Sequence, residues 1–394
     1  MSPSRTAAPA RTGSADRQPP LIDLSSGQIV EPLPAVAREA MLRAAEDPRA
    51  AAYAPGPGLE ELRAAVADHY ARRTGTAAGP DDITVTAGAR HGLFAALAAV
   101  APGHDVLVPA PHWSHYPTLV RQAGGTPVTV PGDPDGARPA GPARLDAVRT
   151  ARTRALLVNS PVNPSGACYD ADRMRELRAW AADRDVTLIV DDTYWAYGSH
   201  VDTGVRPGPH EVVVGGASKV YALAGLRIGW VWADRPLVAA VRETVEHTTG
   251  PVSGPAQEAA AAVLREESRT GGTGAAVAGE AVARRAAELA GRRARALEAM
   301  AGVPFLRPVP PAGGLYLCLD ASRALARRLL GAGDDRELCH ALRRAAGVGL
   351  RAGSTFGMPG HLRLCVAETD DVLLAAGRRL TTCLTAAASA ATDH

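Results

Sequence analysis

The stretch "GGASKVYALAGLRIGW", residues 215–230, holds Lys219, the only lysine in a chain of 394 residues. Lysine and arginine together number 43, so the other 42 basic residues are all arginine. In solvent the two side chains are interchangeable, because each lays an aliphatic stem on the surface and keeps its charge hydrated. They differ in one respect. Burial can lower the pKa of a lysine ammonium and free a nucleophilic primary amine, whereas a guanidinium stays protonated. Lys219 is therefore a candidate Schiff-base nucleophile, set against the bland alternative that one lysine persisted by chance. Eight residues on, Arg227 in "GLRIG" offers a fixed cation for an anionic group.

The elements that must position these groups are legible in the pattern. From Asp82 to about Ala233, the runs "DITVTAG", "DVLVPAP", "TPVTVPG", "RALLVNSP", "VTLIVDD", "EVVVGGAS" and "RIGWVWA" have the length and β-branched content of buried strands. Segments of helical spacing lie between several of them, such as "ARHGLFAALAAVA" and "ADRMRELRAWAADR". This alternation predicts an α/β fold: a large domain with a mostly parallel seven-stranded sheet flanked by helices. Its bounds are set at residues 51–300, the last part almost wholly helical and interrupted by "TTGPVSGP" and "TGGTGA". A smaller α+β domain takes residues 301–394, with strand candidates "GLYLCLD" and "HLRLCVA", and residues 21–50 are expected to pack with it. Residues 1–20, rich in Ser, Thr, Pro, Ala and Arg, read as a disordered tail.

Ligands of open parallel sheets sit beyond the carboxyl ends of the strands, and here those ends are polar. Pyridoxal phosphate is the cofactor that uses a lysine Schiff base for amino-acid chemistry, as an electron sink at Cα. Its pyridinium nitrogen requires a carboxylate, which Asp191 at the end of "TLIVD" can supply, although strand-end aspartates also serve as turn residues. Asn163 and Tyr194 suit its phenolic oxygen. Backbone N–H groups at "GAR", residues 88–90, together with Arg227, suit its phosphate. Trp113 in "PHWSHY" can plate the ring, though a core role is the default for a tryptophan.

The ordered blocks "YAPGPGLEELR", "VTAGARHGL", "PHWSHYP", "NSPVNPSG", "IVDDTY", "SKVYALAGLRIGW" and "STFGMPGHLRL" resemble the class I/II aminotransferases of the aspartate aminotransferase superfamily. That family has fold type I of the pyridoxal-phosphate enzymes, and the resemblance runs from about Leu21 to about Leu380. It implies that Lys219 forms the Schiff base and then moves the proton between Cα and C4′, with Asp191 on the ring nitrogen and Tyr194 and Asn163 on the phenolic oxygen. It implies Trp113 stacking on the ring, and Ala89, Arg90, Ser218 and Arg227 on the phosphate. Tyr53 would reach the phosphate of a neighbouring subunit, which makes a homodimer part of the expectation. Arg363 would clamp the substrate α-carboxylate, aided by Asn163 and the backbone at Gly27. The implied reaction is ping-pong transfer of an amino group between an α-amino acid and a 2-oxo acid. A lyase, cyclase or carbon–carbon bond-forming synthase of the same fold is the alternative.

Some positions depart from the family pattern. Asp192 stands where Glu is common, and Ala352 stands where Pro is common, which should loosen the loop that follows. His115 is read as a solvated residue at a helix start, or else as a substrate contact. Dicarboxylate-specific relatives often use a second arginine contributed across the dimer, and "EHTTGPVSGP" near the expected place has none, which leans against that specificity.

Composition excludes other classes. Hydrophobic residues make up 46% and charged residues 21%, as in an ordinary globular chain. A net charge of +2 with dispersed signs argues against nucleic acid or an anionic membrane as partner. Five cysteines without a C-x-x-C pair point to reduced thiols, a cytoplasmic location and no metal site. No apolar run approaches the roughly 20 residues of a membrane span. No G-x-G-x-x-G follows a strand, which argues against a nicotinamide dehydrogenase.

Overall fold

The computed structural model describes residues 20–132, 140–198 and 207–392. Nearly all of the expected disordered tail thus lies outside the described residues. The first elements are β1 (Ile22–Asp23), α1 (Ala35–Glu46), α2 (Glu60–Thr74), β2 (Ile83–Thr86) and α3 (Ala89–Val100). Next come β3 (Asp105–Pro109), α4 (Tyr116–Gln122), β4 (Thr126–Val130), α5 (Pro142–Asp146), β5 (Thr153–Asn159), α6 (Ala171–Ala182), β6 (Thr187–Asp191), β7 (Glu211–Gly216) and β8 (Gly229–Trp232). Three helices follow, α7 (Arg235–Thr248), α8 (Gly254–Thr270) and α9 (Glu280–Ala301). The rest comprises β9 (Arg307–Val309), β10 (Tyr316–Asp320), α10 (Ser322–Ala326), α11 (Asp335–Ala345), β11 (Val348–Gly349), β12 (Arg351–Ala352), β13 (His361–Cys365) and α12 (Asp370–Thr392).

All seven expected strands of the large sheet form, in the order β2-β8-β7-β6-β5-β3-β4. Only β8 runs against its neighbours; the other pairings are parallel. Runs such as "ALLV" in β5 are buried throughout, because helices cover both faces of the sheet and leave no side for polar residues. One core holds Leu156, Leu188 and Val213; the other holds Leu157, Ile189 and Val214. Alternation along each strand sends neighbouring residues to opposite faces.

Sequence chemistry sets the helix ends. Asp170 caps α6 by accepting from the Arg173 amide at 2.7 Å, and Asp234 caps α7 through the Leu237 amide at 3.3 Å. Gly75 ends α2 in the left-handed region at φ 68°.

The smaller sheet, β12-β13-β10-β9, is antiparallel. Its core gathers Leu317, Leu319, Leu342, Leu362 and Leu380, together with Leu24 from the N-terminal segment. That segment divides. β1 pairs with β11 in the C-terminal part, whereas α1 lies along α8 on the large sheet's side. Pro32 and Pro34 separate the two pieces, and Ala37 and Ala40 give α1 a small buried face. α9 joins the two cores: Val282 and Leu289 pack in the larger, Ala296 and Met300 in the smaller.

Candidate active site

A cavity of about 500 Å³ opens at the carboxyl edge of the large sheet, roofed by the smaller one. Strand topology brings its walls together. β4 lies on one side of β3 and β5 on the other, so the loops after β3 and β5 diverge and leave a crevice. Trp113 follows β3, Asn159 ends β5, Asp191 ends β6, Lys219 follows β7, and all four line the cavity.

The backbone around Lys219 is held from two sides. Tyr197 Oη donates to the Lys219 carbonyl at 2.9 Å, and Arg285 Nη1 donates to the Val220 carbonyl at 2.6 Å. Arg285 is itself fixed by Glu31 at 2.8 Å. The Lys219 amine donates to the Gly27 carbonyl. Burial holds this ammonium below the usual lysine value; Cys365 and Asp191 pull it up, and Arg363 and Arg227 push it further down.

Asp191 is buried, and burial raises its pKa above the ordinary carboxylate value. Two hydroxyls support its charge. Tyr116 Oη donates to Oδ2 at 2.6 Å, and Thr193 donates to Oδ1 through its hydroxyl at 2.8 Å and its amide at 3.2 Å. Behind it, Arg73 forms an ion pair with Asp192 at 2.5 Å, the two side chains being 0% and 2% exposed. The shorter acid thus reaches a full partner.

At the other end of the cavity, Gly88 precedes α3 at φ 83° and offers no side-chain cap. The amides of Ala89 and Arg90 open the helix and have no intrahelical acceptor. Arg227 points there: a Cβ on Gly88 would fall 2.4 Å from its Nη2. Its Nη1 lies 3.4 Å from Ser218 Oγ, and it makes no ion pair with an acid among the described residues. Its Nη1 also donates to the Ala224 carbonyl at 2.9 Å; helix amides, a hydroxyl and a guanidinium without an acid partner among the described residues make a donor set suited to a phosphate.

Arg363 is 4% exposed. It donates from Nη1 to Asn163 Oδ1 at 3.0 Å and from Nη2 to the Ser25 carbonyl at 2.6 Å. Its Nε, also buried, has no partner. Its Cζ lies 4.1 Å from the Tyr316 ring centroid and 4.6 Å from that of Phe356. A buried guanidinium with neutral acceptors and an orphan N–H suits a planar carboxylate.

Lys219, Asp191, Tyr194, Asn163, Trp113, Ala89, Arg90, Ser218, Arg227, Gly27 and Arg363 therefore share one cavity. Some contacts differ from the sequence reading. The Gly27 carbonyl meets Lys219, and the Ser25 carbonyl meets Arg363. Tyr194 Oη pairs with Tyr316 Oη at 3.3 Å. Arg90 sets its guanidinium 5.1 Å from the Trp113 ring centroid. Tyr53 lies outside the cavity, 92% exposed. His115 is the exposed N-cap of α4, as one reading held, but it also lines the cavity with its ring 4.7 Å from that of Trp113. The loop after Ala352 is pinned despite the missing proline, because buried Asp335 accepts from the Ser354 and Gly360 amides at 2.8 and 3.0 Å. Tyr116, Thr193, Tyr316, Phe356 and Arg351 also line the site and were not found in the sequence. Tyr116, Thr193 and Phe356 fall inside the blocks "PHWSHYP", "IVDDTY" and "STFGMPGHLRL", which marked the neighbourhood without singling them out.

The family model described as "Aminotransferase class I and II" matches residues 19–378. An aspartate aminotransferase of Streptomyces avermitilis is 33% identical over 365 residues, 90% of this chain and 87% of that protein. The structure of a single mutant of Thermus thermophilus aspartate aminotransferase superposes with a TM-score of 0.83 at 32% identity, over 93% of this chain and 92% of that one. An aromatic aminotransferase from Pyrococcus horikoshii also gives 0.83, at 26% identity, over 93% and 96%. The chain belongs to the class I and II aminotransferases, which are pyridoxal-phosphate-dependent transferases.

Proposed function

We propose that the protein moves an amino group between an α-amino acid and a 2-oxo acid by ping-pong half-reactions in this cavity, with Lys219 as the cofactor lysine. When bound, pyridoxal phosphate supplies an aldehyde for an amine and a ring that accepts the electron pair left at Cα. Asp191 keeps a negative charge at the ring nitrogen, while Tyr194 and Asn163 serve the phenolic oxygen. The Ala89 and Arg90 amides, Ser218 and Arg227 hold the phosphate, and Trp113 covers the ring. Arg363 fixes the substrate α-carboxylate, aided by Asn163 and the backbone at Gly27. With the cofactor bound, Lys219, whose amine burial makes neutral more readily than in water, would take up and give back the substrate's Cα proton. In the second half-reaction it does the reverse.

One observation carries this reading: the sole lysine, its pKa lowered by burial, stands in one cavity with a buried carboxylate and a buried guanidinium that has no acid partner among the described residues. The alternative of elimination or replacement on the same cofactor has less support, because the relatives are named as aminotransferases. The test is borohydride reduction of the cofactor-loaded protein followed by peptide mass spectrometry, with absorbance scans on adding single amino acids. Cofactor mass fixed on Lys219, with conversion to pyridoxamine phosphate and release of a 2-oxo acid, is expected. Absence of the fixed mass, or release of a leaving group with the aldehyde retained, refutes the reading. The assembly is proposed to be a homodimer in which Tyr53 reaches the neighbouring cavity. Exposure of Val30 (83%), Leu42 (61%) and Tyr53 on one N-terminal stretch supports this, and light scattering in solution tests it.

A further inference from the structure

Tyr316 lines the cavity and has no part in amino transfer as described. It opens β10 of the smaller sheet, yet its side chain packs in the larger core. Three groups assigned to the reaction surround it. Arg363 lays its guanidinium on the ring, with Cζ 4.1 Å from the centroid. Tyr194 meets it edge-on, the two rings at 81° and the hydroxyl oxygens 3.3 Å apart. Gly27 passes so close to the Tyr316 hydroxyl that a Cβ there would collide with it, and the Gly27 carbonyl accepts from the Lys219 amine. A ring held from three sides has little freedom in where it sets its oxygen.

Counting hydrogens fixes the direction of the tyrosine pair. Each phenol has one hydrogen to give and lone pairs to receive. Burial raises both above the ordinary tyrosine value, so each keeps that hydrogen at neutral pH. Once Tyr194 gives its hydrogen to the cofactor's phenolic oxygen, its own oxygen is left as an acceptor. The Tyr316 hydroxyl then has to be the donor, and the bond runs from Tyr316 to Tyr194. Donors in series polarise one another, which strengthens the last hydrogen bond of the chain.

We propose that Tyr316 is a positioning residue with two offices: its hydroxyl donates to Tyr194 and so strengthens the hold of Tyr194 on the cofactor's phenolic oxygen, and its ring seats Arg363. The inference rests on the amino-transfer reading, which puts Tyr194 at that oxygen, and names the group behind it. Donation draws negative charge off the phenolic oxygen. That oxygen then holds the proton it shares with the Lys219 nitrogen less tightly, so the bound cofactor titrates at lower pH. Loss of the Tyr316 hydroxyl moves the titration upward. At 3.3 Å the bond exceeds the usual O–H···O range of about 2.5–3.0 Å, which puts its effect at the weak end, about 0.4 pH unit.

The test is pH titration of the cofactor's visible absorbance in the loaded protein and in Y316F, Y194F and the double variant Y316F/Y194F. Y316F is expected to titrate about 0.4 unit above the unaltered protein. In the Y194F background the same change should add less than about 0.1 unit, because no Tyr194 hydroxyl remains to be polarised. Equal shifts in the two backgrounds, or no shift in either, overturn the relay and leave amino transfer standing. The ring is tested apart from the hydroxyl, since Y316F keeps it and Y316L removes it. KM for the amino donor should stay within about twofold in Y316F and rise about fivefold in Y316L, the loss of one cation–π contact. A rise shared by Y316F, or absent from Y316L, overturns the seating of Arg363. Failure of borohydride to fix cofactor on Lys219 in the unaltered protein overturns amino transfer and this inference with it.

Discussion

Tyr116→Phe isolates one interaction that sets the charge of Asp191. The tyrosine hydroxyl donates to Asp191 Oδ2 at 2.6 Å inside the core, and phenylalanine fills the same volume without the donor. A hydrogen bond to a buried charge contributes about 1.5–3 kcal/mol, and it acts only on the ionised carboxyl. At about 1.36 kcal/mol per pH unit, its loss raises the Asp191 pKa by roughly one to two units, in the direction burial already pushes it. A raised carboxyl pKa means protonation at higher pH. The acid limb of kcat/KM should therefore move upward by about that amount, and cofactor retention should weaken first at low pH. In the cofactor-free protein the sign reverses. The folded pKa lies above the unfolded one, so stability falls as pH rises through the interval between them, and Y116F widens that interval. The assay is a pH series of cofactor dissociation constants by absorbance beside a pH–rate profile. An acid limb displaced by less than about 0.3 unit, with cofactor affinity within about twofold at every pH, would falsify this account of Asp191.

Three further outcomes follow from the geometry. Arg363→Ala should lower kcat/KM about 30-fold or more, since truncating one partner of a buried charge pair costs upwards of about 2 kcal/mol; full activity would remove Arg363 from carboxylate binding. Arg73→Met leaves Asp192 buried and without its ion-pair partner, so denaturant titration should show a loss of about 3–5 kcal/mol, much of it restored in R73M/D192L. A loss below about 1 kcal/mol would contradict the pairing seen in the core. Gly88→Ala puts a Cβ 2.4 Å from Arg227 Nη2 at a backbone φ of 83°. It should weaken cofactor binding measurably by equilibrium dialysis, and an unchanged dissociation constant would show that Arg227 does not serve that site.

The sequence by itself determined the local elements and the identity of the reactive groups. A run such as "ALLVN" must be buried on both faces wherever it sits, and all seven runs of this kind became strands of one sheet. A lysine kept alone among arginines marks itself, because only an amine whose pKa burial can shift separates the two residues. Short pairings such as β1 with β11 escaped, since two residues carry no period. The separation of α1 from the C-terminal part was also beyond local pattern: its alanine face fits any helix, and contact with α8 decided the matter. Tertiary structure alone placed Tyr116 on Asp191, Asp335 under the loop after Ala352, and Arg351 opposite Arg363. Each of these depends on which strands cross over and which side chains then meet. Chemical type is a property of one residue, whereas a hydrogen bond between positions 75 residues apart exists only once the chain between them has closed.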